Sequence, residues 1–153
     1  IWHYQVVHHD LWDRDLPANP NLVTITREGK KIDAVAQITK HGYVFVFDRE
    51  TGEPVFPIEE RPVPASDLPG EEAWPTQPIP TLPEPFARQS FTKEDISDLD
   101  SATHADLLEK FLMVKYDKPF TPPSKHGVWI FPGFDGGGEW GGAAVDPESA
   151  ILY

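Results

Sequence analysis

Ten prolines fall within residues 54–85, a stretch of 32, and no other feature restricts the fold of this chain as much. Proline fixes φ and has no backbone N–H, so this segment supplies neither a helix nor a central strand and has to run extended over a surface. A solvated linker is one reading of such a composition. Against it stand Val55, Phe56, Ile58, Val63, Trp74, Ile79, Leu82 and Phe86, which are too apolar for a tether. An ordered loop packed on a core is therefore expected, and the flanking sequence has to provide that core.

Before the prolines the chain reads as short strands between turns. Residues 22–26 and 32–38 flank Arg27-Glu28-Gly29-Lys30-Lys31, which suits a hairpin with a Gly-containing loop. Residues 43–47, Tyr-Val-Phe-Val-Phe, are apolar at every position, so burial on both faces is predicted. They end in Asp48-Arg49-Glu50-Thr51-Gly52-Glu53, where Asp can accept from backbone amides and Gly can take positive φ. After the prolines, residues 92–96 and 101–114 read as helical, with Leu107, Leu108, Phe111 and Leu112 on one packing face. Residues 1–7 read as a strand in progress and residues 150–153 are again β-prone, so the chain is expected to be a piece of something larger. Short antiparallel strands packed between other sheets belong to a propeller blade or a sandwich.

Charge and composition exclude several classes. The chain has 13 Lys and Arg against 25 Asp and Glu, a net −12, and no basic cluster to hold a phosphate backbone, so nucleic acid is not an expected partner. No apolar run approaches the ~20 residues that cross a bilayer. The absence of cysteine excludes a disulfide scaffold, a zinc-thiolate site and a thiol nucleophile, and leaves the compartment open. Gly136-Gly137-Gly138 is no phosphate loop, because no Lys-Ser/Thr follows and Asp135 and Glu139 flank it. The small residues instead let the backbone pass close to a cofactor or a neighbouring blade. His41 and His126 read as packing or surface residues.

The chemistry-bearing segment is residues 8–15. His8, His9, Asp10, Asp13 and Asp15 put two histidines and three carboxylates inside eight residues, next to Trp2 and Trp12. Histidine and carboxylate both bind divalent cations, although neighbours on a strand point to opposite faces, so His8 and His9 chelate one ion only with a turn between them. A strand end followed by an Asx-rich turn is the plain structural reading. The third is a carboxylate held beside an aromatic, its pKa set by partial burial, which is what a general base needs.

At these residues the sequence resembles the pyrroloquinoline quinone (PQQ) dependent dehydrogenases of the membrane-bound glucose and quinate dehydrogenase type. Trp2-x-Tyr4-Gln5 through His9-Asp10-Leu11-Trp12-Asp13 is similar to the stretch that closes one blade of the eight-bladed propeller in that family. Lys40-x-Gly42-x-x-Phe45-Val46-x-Asp48-Arg49-x-x-Gly52 resembles its strand leading into an Asp-x-x-Thr-Gly docking turn, and Glu139-Trp140-Gly141-Gly142-Ala143-Ala144-Val145-Asp146-Pro147 its Trp-Gly-Gly stretch opening a later blade. The three matches come in the family's order.

The resemblance implies an all-β fragment of an eight-bladed quinoprotein propeller, with residues 53–125 as a Pro-rich and helical insertion between blade strands. It implies that Asp13 is the catalytic base and that Lys40, 27 positions later, meets the quinone oxygens, with Glu139 and Trp140 also at the cofactor. An ionised carboxylate accepts the substrate hydroxyl proton as hydride leaves, while an ammonium stabilises charge building on the reduced quinone. Further implied are a sugar or polyol substrate, a divalent metal (Ca or Mg) with ligands mostly outside this chain, a respiratory quinone as electron acceptor, the remaining blades as partners, and a periplasmic parent anchored by a segment outside this chain. The tryptophan floor under the quinone also lies in other blades, so the isolated piece is expected to be inactive. The rival class is a non-catalytic binding or scaffold protein built on the same repeat.

Overall fold

The computed structural model describes residues 1–116 and 119–153. Glu28 and Gly29 both take positive φ, 52° and 75°, the backbone of a two-residue turn whose twist matches paired strands. It joins β1 (Asn21–Arg27) to β2 (Lys30–Ile38), with Arg27 opposite Lys30. β3 (Val44–Asp48) continues the antiparallel meander, with Ile38 opposite Val44. The β2–β3 link is tight: Gly42 N donates to Thr39 O at 3.0 Å, and Tyr43 N donates to Thr39 Oγ1 at 3.0 Å. Lys40 and His41 occupy this link.

The expected Asp48 turn is present. Asp48 Oδ1 accepts from Glu50 N and Thr51 N, both at 2.9 Å, and Gly52 takes φ 80°. The chain then doubles back, and Val55 N reaches Val46 O at 2.8 Å, which adds a short fourth edge to the meander. A second turn of this kind joins β6 (Val145–Asp146) to β7 (Ile151–Leu152). There Asp146 accepts from Glu148 N and Ser149 Oγ, and Ala150 takes φ 56°.

Because successive side chains alternate, β3 feeds two cores. Phe45 and Phe47 join Val6, Val7, Trp12, Tyr43, Ile79 and Phe120. Val44 and Val46 join Ala18, Val23, Ala34, Ala36, Ile38 and Val55, with Val145, Ala150 and Leu152 packed against them. Both faces of β3 are thus covered, as its unbroken apolar run requires.

Three expectations need correction. Residues 1–7 form no strand; Trp2 and Tyr4 are half-buried between exposed His3 and Gln5, so the alternation is real, but it comes from packing on Phe45 and Phe47 and not from a ladder. The Pro-rich segment is more than a loop. β4 (Ile58–Pro62) and β5 (Thr76–Pro80) pair as an antiparallel ribbon. The pairs Ile58–Pro80, Glu60–Pro78 and Pro62–Thr76 are one alternating set, while Thr81 N to Pro57 O and Val63 N to Pro75 O, 2.9 and 3.0 Å, put the hydrogen-bonded positions on the other. The strand prolines sit where the ladder needs no donor. Finally, a 3-10 turn (Lys93–Asp95) and α1 (Ser101–Met113), capped by the Asp100 carboxylate, lie where helices are predicted. However, α1 buries no residue and Leu112 is exposed; Phe111 is half-buried, stacked on Trp129 and tilted against Phe91.

Trp2 is seated on the Asp48 turn, its Nε1 donating to Arg49 O at 3.0 Å. A Cβ on Gly52 would stand 2.5 Å from the Trp2 ring, on a backbone already at φ 80°. Gly52→Ala in the full-length protein is therefore expected to lower its stability by about 1–3 kcal/mol, read as the denaturant midpoint. An unchanged midpoint would mean that Trp2 is not seated there.

Candidate functional site

The loop of residues 8–15 is shaped by one carboxylate. Asp10 accepts from Trp12 N at 2.9 Å and from Arg14 N at 2.6 Å. Trp12 is buried, 2% exposed, with Nε1 donating to Thr121 O at 2.9 Å and its ring edge-on to Phe120. Arg14 is also buried, its guanidinium donating to Gly133 O at 2.9 Å, to Lys40 O at 3.5 Å and to Pro132 O. Between them Asp13 takes φ 60°, a left-handed conformation that Asp tolerates better than most residues and that clusters at functional sites.

With Trp12 and Arg14 turned inward, Asp13 and Asp15 both reach Lys40. Its Nζ donates to Asp15 Oδ1 at 2.6 Å and to Asp13 Oδ2 at 3.1 Å. From the other side Gly137 N donates to Lys40 O at 2.7 Å and Gly138 N to Thr39 O at 3.1 Å. A Cβ on Gly136 would lie 2.6 Å from Lys40 O, so the glycine run is what lets this backbone press on the β2–β3 link. The run delivers Glu139, whose Oε1 is 3.8 Å from Nζ. The Lys40 side chain is only 9% exposed, and its carboxylates are 64% (Asp13), 58% (Asp15) and 36% (Glu139) exposed. The Asp15 bond holds Lys40 above the ordinary lysine range; burial opposes this and the Asp13 bond adds to it.

Asp13, Lys40 and Glu139 thus come together. Trp140, next in the chain, is 81% exposed. Asp13 is less buried than expected for a base tuned by desolvation, because the loop turns its carboxylate outward onto Lys40. His8 and His9 share no ion site: His8 Nε2 lies 2.9 Å from Glu60 Oε1, His9 is exposed, and no metal-holding group of three or more His or carboxylate side chains exists among the described residues. The sequence names Asp15 only as one of the loop's three carboxylates; its contact with Lys40 has as its signal the i, i+2 spacing from Asp13. Sequence reasoning missed Gln77, fully buried, which clamps His8 by accepting from its N at 2.8 Å and donating to its O at 2.7 Å.

Comparison with known proteins bears on all of these residues. A family model described as PQQ glucose/ethanol/alcohol dehydrogenase, beta-propeller domain, matches residues 1–153. The chain is 43% identical to the quinoprotein glucose dehydrogenase of Gluconobacter oxydans over 99% of its length and 19% of that protein. It is 44% identical to the Escherichia coli quinoprotein glucose dehydrogenase over 98% and 19%, and 36% to the Gluconobacter oxydans glycerol dehydrogenase large subunit over 99% and 21%. The chain therefore spans about a fifth of the length of these relatives. No solved structure matches it.

Next to Lys40, His41 is 2% exposed, packed against Tyr43, Phe45 and Phe120, and among the described residues neither ring nitrogen has a hydrogen-bond partner. Burial, aided by the Arg14 charge, pushes its pKa down from 6.5 to about 3. Between those values the unfolded chain binds a proton that the folded chain refuses, so this contribution to stability is complete above about pH 6.5 and is lost as pH falls toward about 3. In the full-length protein, His41→Leu is expected to flatten that loss. The melting temperature of the variant minus that of the parent should rise as pH is lowered from neutral through this window, and a constant difference would refute the account.

Proposed function

The chain belongs to the PQQ glucose/ethanol/alcohol dehydrogenase β-propeller family, and from that membership we propose that it is the part of a quinoprotein sugar or polyol dehydrogenase that carries the catalytic base. The observation that carries the reading is the contact between Asp13 and Lys40 at 3.1 Å, which joins a proton acceptor to a cation across 27 residues of sequence.

The residues present fit the quinone. Lys40 has three N–H bonds; Asp13 and Asp15 take two, and Glu139 at 3.8 Å is beyond hydrogen-bond reach. One donor is left for a quinone oxygen, and the exposed Trp140 ring beside Glu139 offers an apolar face. PQQ, when bound, supplies the two-electron acceptor for hydride from the substrate carbon. Asp13 takes the hydroxyl proton; its carboxylate is open to a substrate and its position is set by the Asp10 and Arg14 contacts. Lys40 would be the residue that meets a quinone oxygen, and its ammonium, on a side chain only 9% exposed, is weakly screened there. The carboxylates around Lys40 outnumber it, so the remaining cations for a tricarboxylate cofactor, and the ligands of a divalent metal (Ca or Mg), come from other blades of an eight-bladed parent. Residues 53–125 are an insertion between blade strands in this reading. The parent is periplasmic, with any membrane anchor outside this chain, and passes electrons to a respiratory quinone.

In the full-length enzyme Asp13→Asn is expected to cut turnover by about 10²–10⁴-fold while the quinone absorbance of the purified protein is kept. Turnover near that of the parent would refute the assignment of the base, and loss of quinone would assign Asp13 a structural role instead.

A further inference from the structure

Two carboxylates from one loop share Lys40, and they are not equivalent. Asp15 Oδ1 lies 2.6 Å from Nζ and Asp13 Oδ2 3.1 Å. Charge-assisted N–H···O bonds run at about 2.7–2.9 Å, so Asp15 makes the tight bond and Asp13 a looser one. Arg14 between them enforces the arrangement. Its side chain is buried against Pro132, Gly133 and the Lys40 carbonyl, while the carboxylates on either side of it, Asp13 and Asp15, both meet the Lys40 ammonium.

We propose that Asp15 is a positioning residue, the standing counter-ion that keeps the Lys40 ammonium charged and aimed, and thereby leaves Asp13 free to take up and release a proton. This division of labour rests on the reading of Asp13 as the base. A base that was also the main partner of Lys40 would release the ammonium at every protonation, and a tight ionic bond would weaken its affinity for the substrate proton. With Asp15 as main partner, Lys40 stays bonded whatever the state of Asp13. The hydrogen bond that Lys40 donates to Asp15 is likewise the largest influence raising the Lys40 pKa. The other charged groups facing the lysine are Asp13, Glu139 at 3.8 Å and the Arg14 guanidinium on its carbonyl; Asp10 is spent on the Trp12 and Arg14 amides.

The test is competitive acetylation of Lys40 against pH, read by peptide mass spectrometry on the full-length protein without cofactor, so that it does not depend on turnover. Asp15→Asn is expected to lower the Lys40 midpoint by about 1–3 pH units, Asp13→Asn by less, and Asp15→Glu should restore the parental value. In the quinone-loaded enzyme Asp15→Asn should move the alkaline limb of the kcat profile in the same direction. The proposal is overturned if Asp13→Asn moves the lysine midpoint as far as Asp15→Asn does, or if Asp15→Asn leaves it in place. Parental turnover in Asp13→Asn would instead refute the base while an Asp15-dependent midpoint stood.

Discussion

A strand that is apolar on both faces has to be sandwiched, and β3 imposes that condition on everything around it. One face of β3 takes Trp2, Tyr4, Trp12 and Ile79; the other, continuous with the same face of its sheet neighbours β1 and β2, takes Ala18, Val55 and the β6–β7 hairpin. Each large side chain buried there contributes about 1.5–3 kcal/mol relative to exposure, so the N-terminal segment and the ribbon are drawn onto the sheet by the same surface. The β2–β3 link is trapped between these layers. That is why Lys40, a residue rarely buried without a partner, is nearly out of solvent here.

The site is then a matter of charge. An ammonium with little water around it requires anions, and the structure provides them from two directions: the 8–15 loop and the glycine run ending at Glu139. Both approaches are fixed through the backbone of Lys40, whose carbonyl accepts from Gly137 N and from Arg14. The lysine side chain and its partners are therefore referenced to one peptide unit. Such a site holds its geometry without relying on the rotamers of long exposed side chains.

Much of this was legible in the residues themselves. Hairpin, doubly buried strand, Asp48 turn and helix follow from alternation and turn chemistry, which are local properties, and the family was visible in three ordered matches. The pairing of Asp13 with Lys40 followed from that resemblance and not from spacing, since nothing local relates residues 27 apart. Where the reading fell short, the missing information was non-local. Residues 1–7 alternate like a strand, yet they find a packing surface without a ladder. The ribbon is hidden because proline reads locally as an exclusion from strands, although Pro62, Pro78 and Pro80 share one register parity. The part played by Asp15 is not legible locally, because only the folded loop brings both carboxylates that flank Arg14 onto Lys40. The recurrence of the Asp48 turn at Asp146 was legible in Asp-x-Glu-Thr-Gly against Asp-x-Glu-Ser-Ala.

The same prolines explain how the ribbon holds the 8–15 loop. In an antiparallel pair, residues at non-hydrogen-bonded positions turn their backbone groups outward, and in β5 two of those positions are Pro78 and Pro80. The outer edge of β5 is left nearly without donors and cannot extend the sheet by another strand. Contact with the 8–15 loop has to go through a side chain, and the amide of Gln77 carries both an acceptor and a donor. It meets His8 N and O as a neighbouring strand would. Glu60 from β4 adds a contact to the His8 ring, and Thr76 steadies Glu60. The ribbon is thereby tied to the start of the loop that ends in Asp13 and Asp15.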